Sequence, residues 1–124
     1  MVVDTSIVLA VFFNEKHGRW AAEMLTKHSR ELRMSTVNLA EALIRVRDRQ
    51  PRLYRDLENK LVESGIRFIA PTVVHARLAA EARLKYPLNL GDCFAYALAA
   101  AENCPILTTD SDFKKVDVAV LLPS

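Results

Sequence analysis

The chain alternates short apolar strands with longer helical stretches, and this alternation constrains its fold more than any other feature. Val2-Val3, Arg33-Met34-Ser35, Ile66-Arg67-Phe68-Ile69 and Ile106-Leu107-Thr108 read as four strands, with Val118 to Leu121 as a possible fifth. Between them, apolar residues recur at helical spacing over Thr5 to Phe13, Glu15 to His28, Val37 to Arg49, Pro51 to about Glu63, a segment capped by Thr72 and ending near Lys85, and Gly91 to Asn103. Strands that alternate with helices predict an α/β fold: a central, mostly parallel sheet of four to five short strands flanked by helices. At 124 residues, 51% of them hydrophobic, the chain supports one buried core, so residues 1–124 are expected to form one domain.

Ligands of open parallel sheets bind outside the carboxyl ends of the strands. A functional site should therefore gather polar residues just after strands or on the first turns of the following helices. Asp4 directly follows Val2-Val3, and Asp110 follows Ile106 to Thr109. Asp92 falls on the first turn of the alanine-rich helix, and Glu41 lies inside an otherwise apolar helical stretch. Taken singly, the three aspartates also read as helix caps or first-turn acids, which the helix dipole favours. Four acids converging on one edge need more explanation, because close carboxylates repel and raise each other's pKa unless a cation lies among them. Oxygen donors without a Cys or His cluster select Mg²⁺ or Mn²⁺ over zinc. Ser6, two residues after Asp4, and Thr108, two before Asp110, are placed to orient these carboxylates, or else to cap locally.

The four segments together resemble the PIN-domain family, and within it the VapC-type toxins of prokaryotic toxin–antitoxin pairs. The matching stretches are Val2-Val3-Asp4-Thr5-Ser6, Thr36-Val37-Asn38-Leu39-Ala40-Glu41, Leu90-Gly91-Asp92-Cys93-Phe94-Ala95 and Ile106-Leu107-Thr108-Thr109-Asp110-Ser111-Asp112-Phe113. Their order and spacing span essentially the whole chain. The one departure is a short first strand, because little precedes Asp4. Asp112 reads as a cap for Phe113 and the residues after it, with a peripheral metal acid as the alternative.

The resemblance implies a PIN-like fold and a metal-dependent endoribonuclease, the toxin of a type II pair, restrained by a small antitoxin protein. It also implies a homodimer, and the high hydrophobic content agrees. Asp4, Asp92 and Asp110 would be the main ligands of Mg²⁺ or Mn²⁺, with Glu41 binding a second ion or orienting water. A house-keeping nuclease of RNA maturation and a non-catalytic binding module of the same fold are the alternatives. The acidic pocket is also a receptor for a guanidinium, so the antitoxin is expected to insert an Arg among the four acids, its apolar residues lying beside the helices over 15–28 and 37–63.

A net charge of +2 neither demands nor excludes a nucleic-acid partner. Lys16, Arg19, Arg45, Arg49, Arg52 and Arg55 are the candidate RNA contacts. Arg45 and Arg49 follow Glu41 at successive i+4 steps, which predicts a basic track leading from the acids, or alternatively a Glu41–Arg45 helix pair. No apolar run approaches the roughly 20 residues of a membrane span, and the start lacks the pattern of a signal peptide, so a cytoplasmic location is expected. Cys93 and Cys104 are expected on one helix, too far apart to pair. His17, His28 and His75 lack ligand spacing and are expected in surface or packing roles.

Overall fold

The computed structural model describes residues 1–124. Five short strands, β1 (Val2–Val3), β2 (Arg33–Ser35), β3 (Arg67–Ile69), β4 (Ile106–Leu107) and β5 (Val120–Leu121), form one sheet in the order β3-β2-β1-β4-β5. Every pairing is parallel. Six helices fill the crossovers: α1 (Thr5–Phe12) and α2 (Gly18–Lys27) join β1 to β2, α3 (Thr36–Arg49) and α4 (Tyr54–Val62) join β2 to β3, and α5 (Val73–Lys85) and α6 (Leu90–Glu102) join β3 to β4. Parallel strands require such crossovers, and the helices bury both faces of the sheet.

The alternation of side chains along a strand divides the core into two layers. Val3 and Leu107 face a cluster with Ile7, Val8, Ala10, Ala42 and Leu61. Their neighbours Val2 and Ile106 face the opposite cluster with Ala79, Ala82, Ala95, Leu98 and Phe113. The alanines of α6 allow it to pack closely against β1 and α5, and Ala95, Ala97 and Ala99 are all buried.

The chain adds β2 and β3 on one side of β1, then returns to place β4 on the other side. The crevice between the carboxyl ends of β1 and β4 is the switch point where open α/β sheets bind ligands.

Several local expectations are corrected. Pro51 lies in a turn ahead of α4, which begins at Tyr54. The second helix starts at Gly18 rather than Glu15, because Asn14 takes a positive φ of 49° and the chain turns there. Gly18 then packs against the Ala10 carbonyl at a distance that leaves no room for a Cβ. Cys104 lies beyond α6, because Asn103 adopts the left-handed conformation that ends the helix. Both cysteines are free thiols. His75 is buried, its Nδ1 accepting the Thr72 N–H while the Thr72 hydroxyl accepts the His75 N–H, and this reciprocal pair starts α5. No helix is long and apolar enough to cross a membrane.

Candidate active site

Asp4 directly follows β1 and caps α1. Its Oδ2 accepts hydrogen bonds from the Ser6 hydroxyl at 2.7 Å, the Thr108 hydroxyl at 2.9 Å and the Ser6 N–H at 3.4 Å. The two hydroxyls lie 3.1 Å apart and themselves accept backbone N–H groups, from Thr109 to Ser6 and from Asp110 to Thr108, each at 3.0 Å. Each hydroxyl has a single proton, so the pair directs its donors onto Asp4 and its lone pairs onto the chain after β4. This network joins the ends of β1 and β4. It leaves Asp4 Oδ1 buried without a partner.

Asp110 follows β4 and caps a 3-10 helix over Ser111–Lys115, its Oδ1 accepting the Asp112 N–H at 2.9 Å. The cap expected of Asp112 is therefore made by Asp110, and the side chain of Asp112 is exposed. The capping geometry of the T-x-D-x-D stretch is set by its first acid, because that residue alone keeps extended dihedrals (φ −90°, ψ 115°) while Asp112 is already helical.

Asp92 stands three residues into α6 in a capping box. Asn89 accepts the Asp92 N–H at 2.8 Å, and Asp92 Oδ2 accepts the Asn89 N–H at 3.4 Å. Glu41 projects from α3, where Oε1 accepts from the Thr5 hydroxyl at 2.8 Å and from Asn38 Nδ2 at 3.0 Å. Its carboxylate lies over Gly91, where a Cβ would overlap all three carboxyl atoms.

The four acids line one pocket of about 160 Å³ together with Thr5, Ser6, Leu9, Arg45 and Asn89. Two of them, Asp92 and Asp4, titrate above the ordinary carboxylate range. Asp92 is pushed up to about 7, first by burial and then by the charges of Asp4 and Asp110. Asp4, 2% exposed, is raised by burial against the lowering bonds of Ser6 and Thr108. Carboxylates raised by burial and by one another mark a site where charge must be compensated.

No three of the Asp, Glu, His and Cys side chains close into a ready ion cage. The donor chemistry still fits a hard divalent cation. All the convergent groups are oxygens, Asp4 Oδ1 is a buried acceptor without a donor, and Mg²⁺ typically takes one or two carboxylates and keeps water for its remaining positions.

The basic residues divide. Arg45 lines the pocket and makes no ion pair, so the expected alternative, a Glu41–Arg45 pair, is not formed. Arg49 leaves the track: its guanidinium lies 3.9 Å from the centre of the Phe13 ring, with Glu15 at 3.9 Å. Arg19 pairs with Glu23 along α2, and Lys16, Arg52 and Arg55 are exposed outside the pocket. Thr5 and Asn89 also line the pocket, and Asn38 and Gly91 contact the Glu41 carboxylate; the sequence alone does not single out these four. Asn38, three residues before Glu41 on a helix, is the one whose spacing could have been read.

A family model described as the PIN domain matches residues 1–119. Ribonuclease VapC42 of Mycobacterium tuberculosis is 35% identical over 128 residues, covering 95% of this chain and 96% of its own. Ribonuclease VapC30 of the same organism is 34% identical over 137 residues, covering 99% and 100%. The fold is similar to that of Mycobacterium tuberculosis VapC20, a Sarcin-Ricin loop cleaving toxin, with a TM-score of 0.83 over 98% of each chain at 16% identity. It is also similar to a chain of a toxin–antitoxin complex from Klebsiella pneumoniae, with a TM-score of 0.79 over 99% and 97% of the two chains at 19% identity.

Proposed function

The chain belongs to the PIN domain family, and from that premise we propose that it is the toxin of a toxin–antitoxin pair: an endoribonuclease that depends on Mg²⁺ or Mn²⁺. The observation that carries the proposal is the convergence of Asp4, Glu41, Asp92 and Asp110 on one pocket at the carboxyl edge of the sheet. Relatives named as ribonucleases over nearly their whole length support the activity.

An RNA phosphodiester is an anion that four carboxylates would repel. Asp4, Asp92 and Asp110 would hold the divalent ion, with Glu41 at a second ion or at the attacking water. A bound ion would supply charge compensation and an activated water at neutral pH. The residues of the chain do the rest. Ser6 and Thr108 fix Asp4 through Oδ2 and leave Oδ1 free to bind. Thr5 and Asn38 likewise occupy Glu41 Oε1. Arg45 stands at the pocket with an unpaired guanidinium suited to a substrate phosphate. The 2′-hydroxyl of the RNA has no part in this scheme.

Cleavage should require a divalent ion and leave 5′-phosphate and 3′-hydroxyl ends. Product mapping with and without EDTA tests this. Activity in EDTA, or products ending in a 2′,3′-cyclic phosphate, would exclude it.

The partner we propose is a small antitoxin that competes for the same acids with an inserted Arg. The toxin–antitoxin complex from Klebsiella pneumoniae among the structural neighbours supports a protein partner. An apolar cavity of about 70 Å³ lined by Val8, Val11, Phe12, Leu25 and Leu61, between α1, α2 and α4, could seat its apolar residues. Replacing the inserted Arg with Ala should weaken inhibition, and high Mg²⁺ should partly relieve it.

A further inference from the structure

Asn38 does not line the pocket, yet it is fully buried at 0% exposure on the first turns of α3. Burial of a primary amide is costly unless its groups are matched, and here they are matched unequally. Both Nδ2 protons are used, one on Glu41 Oε1 at 3.0 Å and the other on the Gly91 carbonyl at 3.0 Å. Oδ1 has no partner. The orientation of the amide is dictated by its neighbours: turned over, Oδ1 would face two oxygens that can only accept. A residue selected for packing alone would not carry an unsatisfied buried carbonyl, since an apolar side chain of similar shape would avoid the loss.

The two bonds join elements 53 residues apart in sequence. Glu41 belongs to α3, whereas Gly91 belongs to α6 and immediately precedes Asp92. One amide therefore fixes the distance between two acids of the pocket. Gly91 completes the arrangement, because only the absence of a Cβ allows the Glu41 carboxylate to lie against α6. Thr5 supplies the second donor to the same oxygen, Oε1, which leaves Oε2 without a hydrogen bond from the protein.

We propose that Asn38 is a positioning residue of the nuclease site, an amide strut that holds the Glu41 carboxylate against Gly91 and so sets its separation from Asp92. The proposal rests on the reading of Glu41 as a site carboxylate. Asn38 itself touches neither substrate nor ion.

The experiment compares Asn38→Ala with Glu41→Gln, and with Val46→Ala as a buried α3 substitution outside the pocket. Three quantities are measured on each full-length protein: Mn²⁺ binding without RNA by electron paramagnetic resonance, kcat and KM for RNA cleavage, and Tm. Asn38→Ala should move whichever of Mn²⁺ affinity and kcat Glu41→Gln moves, in the same direction and by at least fivefold, with KM little changed. Val46→Ala should lower Tm and leave both quantities alone. If Glu41→Gln is impaired while Asn38→Ala changes only Tm, in the manner of Val46→Ala, the strut is purely structural and the proposal falls while the nuclease reading stands. If Glu41→Gln itself changes neither quantity, the role given to Glu41 falls and the proposal with it. Should Asn38→Ala fail to fold, Asn38→Ser, which keeps one donor, is read by the same criteria.

Discussion

The carboxylate of Glu41 lies so close to the Cα of Gly91 that any side chain at position 91 would occupy the same space. A glycine on the first turn of α6 is thereby tied to an acid on α3. Two effects oppose each other on Gly91→Ala. Helix propensity favours alanine by about 1 kcal/mol, and forcing a methyl into a filled space costs about 1–3 kcal/mol. Stability should therefore change little or fall modestly. Activity should fall further, by roughly 100-fold, because displacing a site group by about 1 Å is enough for that. Cleavage rates and thermal melts of the one variant check both parts. A variant as active as the parent would show that Glu41 need not stand there.

Asp4→Asn, Asp92→Asn and Asp110→Asn should each reduce cleavage by roughly 100-fold or more, the loss expected when several kcal/mol of charge stabilisation disappears. Asp112→Asn should have a smaller effect, because that residue is exposed and does not line the pocket. In protein treated with a chelator, Asp92→Asn should hold or raise Tm, since it removes a carboxylate that burial and its neighbours already disfavour. An Asp4→Asn protein that unfolds yet keeps its specific activity would mark Asp4 as structural.

Asp92 also predicts a pH dependence. Its folded value of about 7 lies above the unfolded value of about 3.9. The folded chain therefore holds a proton that the unfolded chain has released. This contribution to stability is fully present below about pH 4 and is lost as pH rises through about 7. Asp4, also raised, acts in the same direction. A divalent ion requires the ionised carboxylates, so the Tm gained on adding Mg²⁺ should grow from about pH 5.5 to about pH 8. Asp92→Asn should flatten this growth. Melting curves across that range, with Mg²⁺ or EDTA, are the measurement, and an equal Mg²⁺ effect at both ends would contradict the prediction.

Arg45 and Arg49 share a helix face and should nonetheless behave differently. Arg45→Ala should weaken RNA binding and reduce the slope of log affinity against log salt by about 0.7, the share of one phosphate contact on a single strand. Arg49→Ala should leave the slope unchanged and cost about 0.5–1 kcal/mol of stability, from the stacking on Phe13. Binding titrations at several salt concentrations separate the two, and equal slopes for both variants would remove Arg45 from the RNA interface.

Self-association is expected from the apolar surface. Val73, Val74 and Leu84 on α5 are exposed, Leu84 at 92%, as are Ile44 on α3 and Leu90 on α6. Apolar groups in that number on so small a domain favour a covered face. Light scattering at micromolar concentration should report a dimer, and Leu84 is the first residue to replace. A monomer throughout that range would refute the expectation.

The sequence alone determined the order of strands and helices, the parallel sheet, and the position of Asp4 and Asp110 after strands, because apolar periodicity and helix caps act over a few residues and can be read along the chain. The same local rules placed Asp92 on the first turn of α6. They could not show that Arg49 turns to Phe13, that Ser6 and Thr108 meet on one oxygen of Asp4, or that Asn38 reaches Gly91. Those contacts join segments up to 104 residues apart and exist only once β1 and β4 pair and α3 meets α6. Gly91 is the extreme case. Its contribution is the absence of a side chain, which leaves no mark in a hydrophobic pattern and acquires meaning only when the carboxylate of Glu41 comes to rest against it.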